Sequence, residues 1–160
     1  MHSKQCLAVT ITHKGEIMDY EKAKTYASQK GETNDCSVKA VSIACDVPYH
    51  VAHKALALQG RNNRRGAYEW QIHRAIQSLG FDIRVVNATA ASCATIARDV
   101  KVQKGFFIAY VNRHILSIVD GKVEDWTATN CRRRIQSVYR VVPNVSRKER
   151  AERKAKLMQA

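Results

Sequence analysis

The dipeptide Asp120-Gly121 stands between two runs rich in β-branched and apolar residues, 114–119 and 122–127. Such a pair accepts the positive φ angles of a two-residue hairpin turn, so the flanking runs form an antiparallel pair with a set register. With Asp120 and Gly121 as the loop, Val119 pairs with Lys122 and Leu116 with Asp125. Side chains alternate between faces along a strand. His114, Leu116 and Ile118 therefore share a face with Val123 and Asp125, and Asp125 becomes the diagonal neighbour of His114. Glu124 points to the opposite face. An imidazole and a carboxylate can meet across that diagonal.

The remaining elements fall around this hairpin. Runs 81–86, 106–111 and 135–142 read as strands, and so does the alternating run 6–13, followed by the turn Lys14-Gly15-Glu16. Asp19 caps a helix that reaches about Gln29, and Gly31 ends it. The helix predicted over 36–45 is apolar nearly all round, which marks it as buried. Asp46-Val47-Pro48 breaks it, and a further helix runs from Pro48 to Leu58. A basic loop, 59–66, leads to a helix over 67–79 with Trp70, Ile72, Ile76 and Leu79 as core contacts, stopped by Gly80. A short helix is expected over 92–100, and no internal repeat is present. Helices first and a mainly antiparallel sheet after them is an α+β pattern. The 160 residues, 45% of them hydrophobic, suit one domain with its own core. We place it at 1–145, followed by a basic segment, 146–160, that is either a helix or a tail that folds on a partner.

Five cysteines, Cys6, Cys36, Cys45, Cys93 and Cys131, include no Cys-x-x-Cys pair. No signal-peptide pattern opens the chain, and no apolar run approaches the roughly 20 residues of a membrane span. The expectation is a cytoplasmic protein with free thiols and no membrane contact. Cys45 and Cys93 sit in apolar helical settings and read as packing residues. Cys131 adjoins Arg132, Arg133 and Arg134, whose charges favour a thiolate, but no histidine accompanies it.

Cys36 differs from the others. It follows Asn34-Asp35 where a turn hands over to the apolar helix. A free thiol is mostly protonated at neutral pH, while a helix N-terminus and an imidazolium both favour the thiolate. A carboxylate then orients the ring and stabilises its charged form. The candidate assignment is Cys36 as nucleophile, His114 as general base and later general acid, and Asp125 as the group that orients it. Asn34 and the first backbone N–H groups of the helix are the candidate oxyanion donors.

This order of groups resembles the papain-like cysteine peptidase superfamily. The stretch Gly31-Glu32-Thr33-Asn34-Asp35-Cys36-Ser37-Val38-Lys39-Ala40 is similar to small papain-like proteins of tailed bacteriophages. Asp46-Val47-Pro48-Tyr49, Gly66-Ala67-Tyr68 and the Asp125-Trp126 pair after the His strand extend the similarity over roughly 31–142. The resemblance implies a papain-like fold, with N-terminal helices packed on a mainly antiparallel sheet. It also implies a hydrolase or acyl transferase that acts on a peptide, isopeptide or amide bond, in a phage setting on a host target. Two departures stand out. The Gln that such peptidases carry shortly before the Cys is matched only by Gln29, one residue further away than usual, and Ser37 replaces a common Gly.

The formal charge of +13 favours an acidic partner. Three clusters carry it: Arg61, Arg64 and Arg65; Arg132, Arg133 and Arg134; and the C-terminal segment. They read either as solvated loops or as phosphate contacts to nucleic acid, with backbone rather than base recognition. The competing function is thus an inactive papain-like fold that binds nucleic acid or a host protein. His50 and His53 lie on one helix face without a further ligand at metal-site spacing, and read as exposed. No metal or other cofactor is expected.

Overall fold

The computed structural model describes residues 17–88, 92–126 and 132–159. The expected strand 6–13, the turn 14–16 and the Cys131 thiol lie outside them. Along the described chain come α1 (Tyr20–Gln29), α2 (Cys36–Ala44), α3 (Tyr49–Leu58), α4 (Glu69–Ser78) and β1 (Phe81–Val86). They are followed by α5 (Cys93–Ile96), a 3-10 turn (Val100–Val102), β2 (Phe106–Val111), β3 (His114–Val119), β4 (Lys122–Glu124), β5 (Ile135–Pro143) and α6 (Arg147–Gln159). The five strands form one antiparallel sheet in the order β1-β5-β2-β3-β4. The architecture is α+β.

Alternation along the strands builds two cores. Ile108, Ile115 and Val141 face the helices and join Val38, Val41, Ile43, Leu56, Ile72 and Ile76. Phe107, Ala109, Leu116, Ile118 and Val138 face the other way, against Cys93 and Ile96 of α5 and Val102. The sheet is thereby covered on both sides. In α2 Val38, Val41 and Ile43 have no exposed surface, as expected for a helix apolar all round. Small residues let it lie close to β3, where the Ser117 hydroxyl donates to the Ala40 carbonyl at 3.0 Å. Asp19 caps α1 through its side chain, which accepts from the Lys22 N–H at 2.9 Å.

The hairpin has the expected register: Val119 pairs with Lys122, Ile118 with Val123 and Ser117 with Glu124. Both turn residues have positive φ, 47° at Asp120 and 79° at Gly121. β4 is shorter than the predicted 122–127. It stops where the Glu124 carboxylate accepts from the Tyr20 N–H of α1 at 3.0 Å, leaving β3 open beyond Ser117.

Several expectations are corrected. Trp70 is not a core residue: it is 53% exposed, and the Arg74 guanidinium lies 5.5 Å from its ring centroid. The helix expected over 92–100 divides into α5 and the 3-10 turn, with the Asp99 carboxylate accepting from the Lys101 N–H at the junction. Cys93 is disulfide-bonded, not a free thiol, whereas Cys36 and Cys45 are free. Of the two readings of the C-terminal segment, the helix is the one that holds, as α6. Arg153 of α6 donates to the carbonyls of Gln77 and Ser78 at the end of α4, and the Arg150 guanidinium covers the Phe81 ring at 5.5 Å. Among the described residues no helix is long and apolar enough to cross a membrane.

Candidate active site

Three elements meet at the open end of β3. Asn34 has φ 53°, which turns the chain sharply into α2 and sets Cys36 as its first residue. Asp35 occupies the N-cap position without a side-chain capping bond. Its carboxylate turns inward instead, accepting from Lys39 Nζ at 2.8 Å and from the buried Tyr49 hydroxyl at 2.8 Å. The first N–H groups of α2 are therefore not capped by Asp35, and a thiolate or oxyanion there lies in their partial positive field.

His114 opens β3, and Asp125 follows the last residue of β4. His114 Nε2 lies 2.9 Å from Asp125 Oδ2, with the two side chains 7% and 6% exposed. That bond leaves Nδ1 as the ring nitrogen for Cys36. Burial by itself would raise the Cys36 thiol. Hydrogen bonds from His114 and the Ile115 N–H, the imidazolium charge and the Ser37 N–H outweigh it and hold the thiol below its ordinary value. The Ile115 N–H can serve the sulfur because β4 ends before reaching it. Burial also disfavours the imidazolium, but the hydrogen bond to Asp125, that to Cys36 and both negative charges raise His114 to about 9. Both shifts act in the same sense, favouring a thiolate–imidazolium pair backed by a carboxylate over the neutral pair.

The other expected site residues divide. Asn34 Nδ2 donates to the Arg64 carbonyl at 3.3 Å, so this amide holds the 59–66 loop against the start of α2. One of its two N–H donors is thereby engaged, and the first N–H groups of α2 stand beside it as candidate oxyanion donors. Arg61 is 4% exposed and not available to a phosphate; it lies 3.5 Å from Glu32, which also accepts from His53 Nε2 at 2.6 Å and from the Arg64 N–H. Burial would raise the Glu32 carboxyl, yet these partners hold it below its usual range. His53 is thus half-buried and paired rather than exposed. Arg64, Arg65, Arg132, Arg133 and Arg134 are all exposed.

Three neighbours of the site carried no recognised role in the sequence. Trp126 is 63% exposed and stands edge-on to His114, ring centroids 6.0 Å apart, with the Arg133 guanidinium 6.0 Å from its own centroid. Tyr20 comes in from α1: burial and the charges of Asp125, Glu21 and Asp35 push its hydroxyl pKa up. Lys39 lies 5.7 Å from the Tyr20 ring centroid, one helical turn after Cys36. Tyr20 precedes Cys36 by too many residues for any local spacing to link them. Trp126 had a signal, its adjacency to Asp125. Among the described residues no group of three or more His, Cys, Asp or Glu side chains is arranged to hold a metal ion. Comparison with protein-family models, curated proteins and solved structures gives no match.

Proposed function

We propose that this chain is a papain-like cysteine hydrolase or acyl transferase acting on a peptide, isopeptide or other amide bond. The observation that carries the reading is the Cys36–His114–Asp125 array. A thiol held below its ordinary value stands beside an imidazole raised to about 9, whose far nitrogen is 2.9 Å from a buried carboxylate. In this mechanism the Cys36 thiolate attacks the carbonyl carbon, and the α2 N–H groups stabilise the oxyanion. The His114 imidazolium gives its proton to the leaving amine as the C–N bond breaks, leaving a thioester on Cys36. Neutral His114 then takes a proton from water, or from an acceptor amine, which attacks the thioester and frees the thiolate.

The pH dependence of Cys36 alkylation in the native protein, resolved from the other thiols by peptide mass spectrometry, tests this directly. The expected result is a midpoint well below that of an ordinary thiol, moving up on His114→Ala. A Cys36 that reacts only as an ordinary thiol, or ignores the loss of His114, overturns the reading. Once a substrate is in hand, Cys36→Ala should abolish turnover, whereas a binding module would keep its effect.

A further inference from the structure

We propose that the surface around Cys36 takes an acidic peptide segment, held between two arginine-bearing walls; this rests on the reading of Cys36 as the nucleophile. One wall is the 59–66 loop. The Arg64 carbonyl is tied to Asn34 at 3.3 Å, its N–H is locked to Glu32, and its Nε donates to the Gly31 carbonyl at 3.2 Å. These bonds hold an exposed Arg64 and its exposed neighbour Arg65 beside the start of α2. The other wall is Trp126 with Arg133, whose guanidinium is 6.0 Å from an indole that is itself 6.0 Å from the His114 ring. Exposed Arg113, at φ 57°, directly precedes His114 in the β2–β3 turn.

The nearby carboxylates do not offset these charges at the surface. Asp125 is held by His114, Asp35 by Lys39 and Tyr49, Glu32 by His53 and Arg61, and Glu124 by Lys122. The more exposed pair on α1, Asp19 and Glu21, lie beside Lys22 and Lys24. The unbalanced exposed charge around the thiol is therefore positive, and it adds to the field of the helix N-terminus. A peptide fits this better than nucleic acid. The Arg133 guanidinium, 6.0 Å from the ring centroid, competes with a base for one face of the exposed indole. The reacting group is also suited to an acyl carbon.

Two haloacetyl reagents read the field without a known substrate. Rates of Cys36 alkylation by anionic iodoacetate and neutral iodoacetamide are measured at low ionic strength, and their ratio cancels general changes in thiol reactivity. The ratio should fall severalfold in Arg133→Glu and in Arg64→Glu, since in water a charge reversal at a separation on the order of 10 Å is enough for roughly a fourfold effect. Arg133→Gln should give about half that effect on a logarithmic scale, and high salt should remove it. An Asp/Glu-rich heptapeptide should protect Cys36 in the native protein more than a Lys-rich one or oligodeoxythymidylate, and lose its effect in the reversed variants. A ratio indifferent to both arginines, or better protection by the oligonucleotide, overturns the inference while leaving a reactive Cys36 in place. A Cys36 slow toward both reagents and insensitive to His114 overturns the nucleophile reading, and this inference with it.

Discussion

At the scale of single residues, the chemistry depends on two groups whose protonation is displaced in opposite directions. The folded state favours the His114 imidazolium, so its stabilising contribution is complete below its ordinary value of 6.5 and is lost as pH rises through about 9. Cys36 is the reverse. Its thiolate contributes fully above the ordinary thiol value of 9.0, and the contribution is lost as pH falls through the lowered folded value. Acyl transfer needs both ions, so turnover should follow a bell whose alkaline limb lies near pH 9, as a pH–rate profile would reveal. Asp125→Asn removes the main support of the imidazolium. The alkaline limb should move down, the Cys36 alkylation midpoint should move up, and kcat should fall by a hundredfold or more, as order of magnitude. An alkaline limb that stays near pH 9 in Asp125→Asn would show that Asp125 does not act through His114.

At the scale of elements, the site depends on contacts that hold the 59–66 loop and α2 in place. Glu32 joins His53, Arg61 and the Arg64 N–H across this loop. Glu32→Gln leaves a buried guanidinium without its counter-charge, so denaturant unfolding should show a loss of about 3 kcal/mol. A loss near zero would mean the loop is held otherwise. Ser117→Ala removes the bond from β3 to the Ala40 carbonyl, and should cost about 1 kcal/mol. Gly80 ends α4 at φ 89°, and a Cβ there would come within 2.5 Å of Val145 Cγ2 and 2.9 Å of Arg150 Cγ. Gly80→Ala should therefore destabilise the fold by about 1–3 kcal/mol and loosen α6, which amide exchange along 147–159 would register.

For the whole molecule, the nine-residue helix α2 separates two regions. Cys36 opens it at the site, and Cys45 follows its last turn beside a cavity of about 520 Å³ bordered by Phe81, Phe106, Val141 and Arg150 of α6. α6 lies along this cavity and buries none of its own residues. Deleting 147–159 should lower Tm by only a few degrees, a loss on the order of 1–2 kcal/mol. It should leave the Cys36 alkylation midpoint unchanged, since no α6 side chain contributes to the Cys36 or His114 shifts. A shifted midpoint would reveal coupling along α2.

Local patterns in the sequence determined most of the described elements and one side-chain pair of the candidate site. Asp120-Gly121 set a register, and strand alternation then put His114 and Asp125 on one face, because both rules act over a few residues. The apolar run after Cys36 likewise marked a buried helix. Tertiary structure alone decided what lies many residues apart. It brought Cys36 to the unpaired edge of β3, carried Tyr20 up to Asp125, and put Arg133 on Trp126. It also drew Arg61 and His53 inward to Glu32, although their sequence surroundings read as a solvated loop and an exposed face. Charge-pair and burial energies depend on three-dimensional proximity, and sequence spacing carries no record of it.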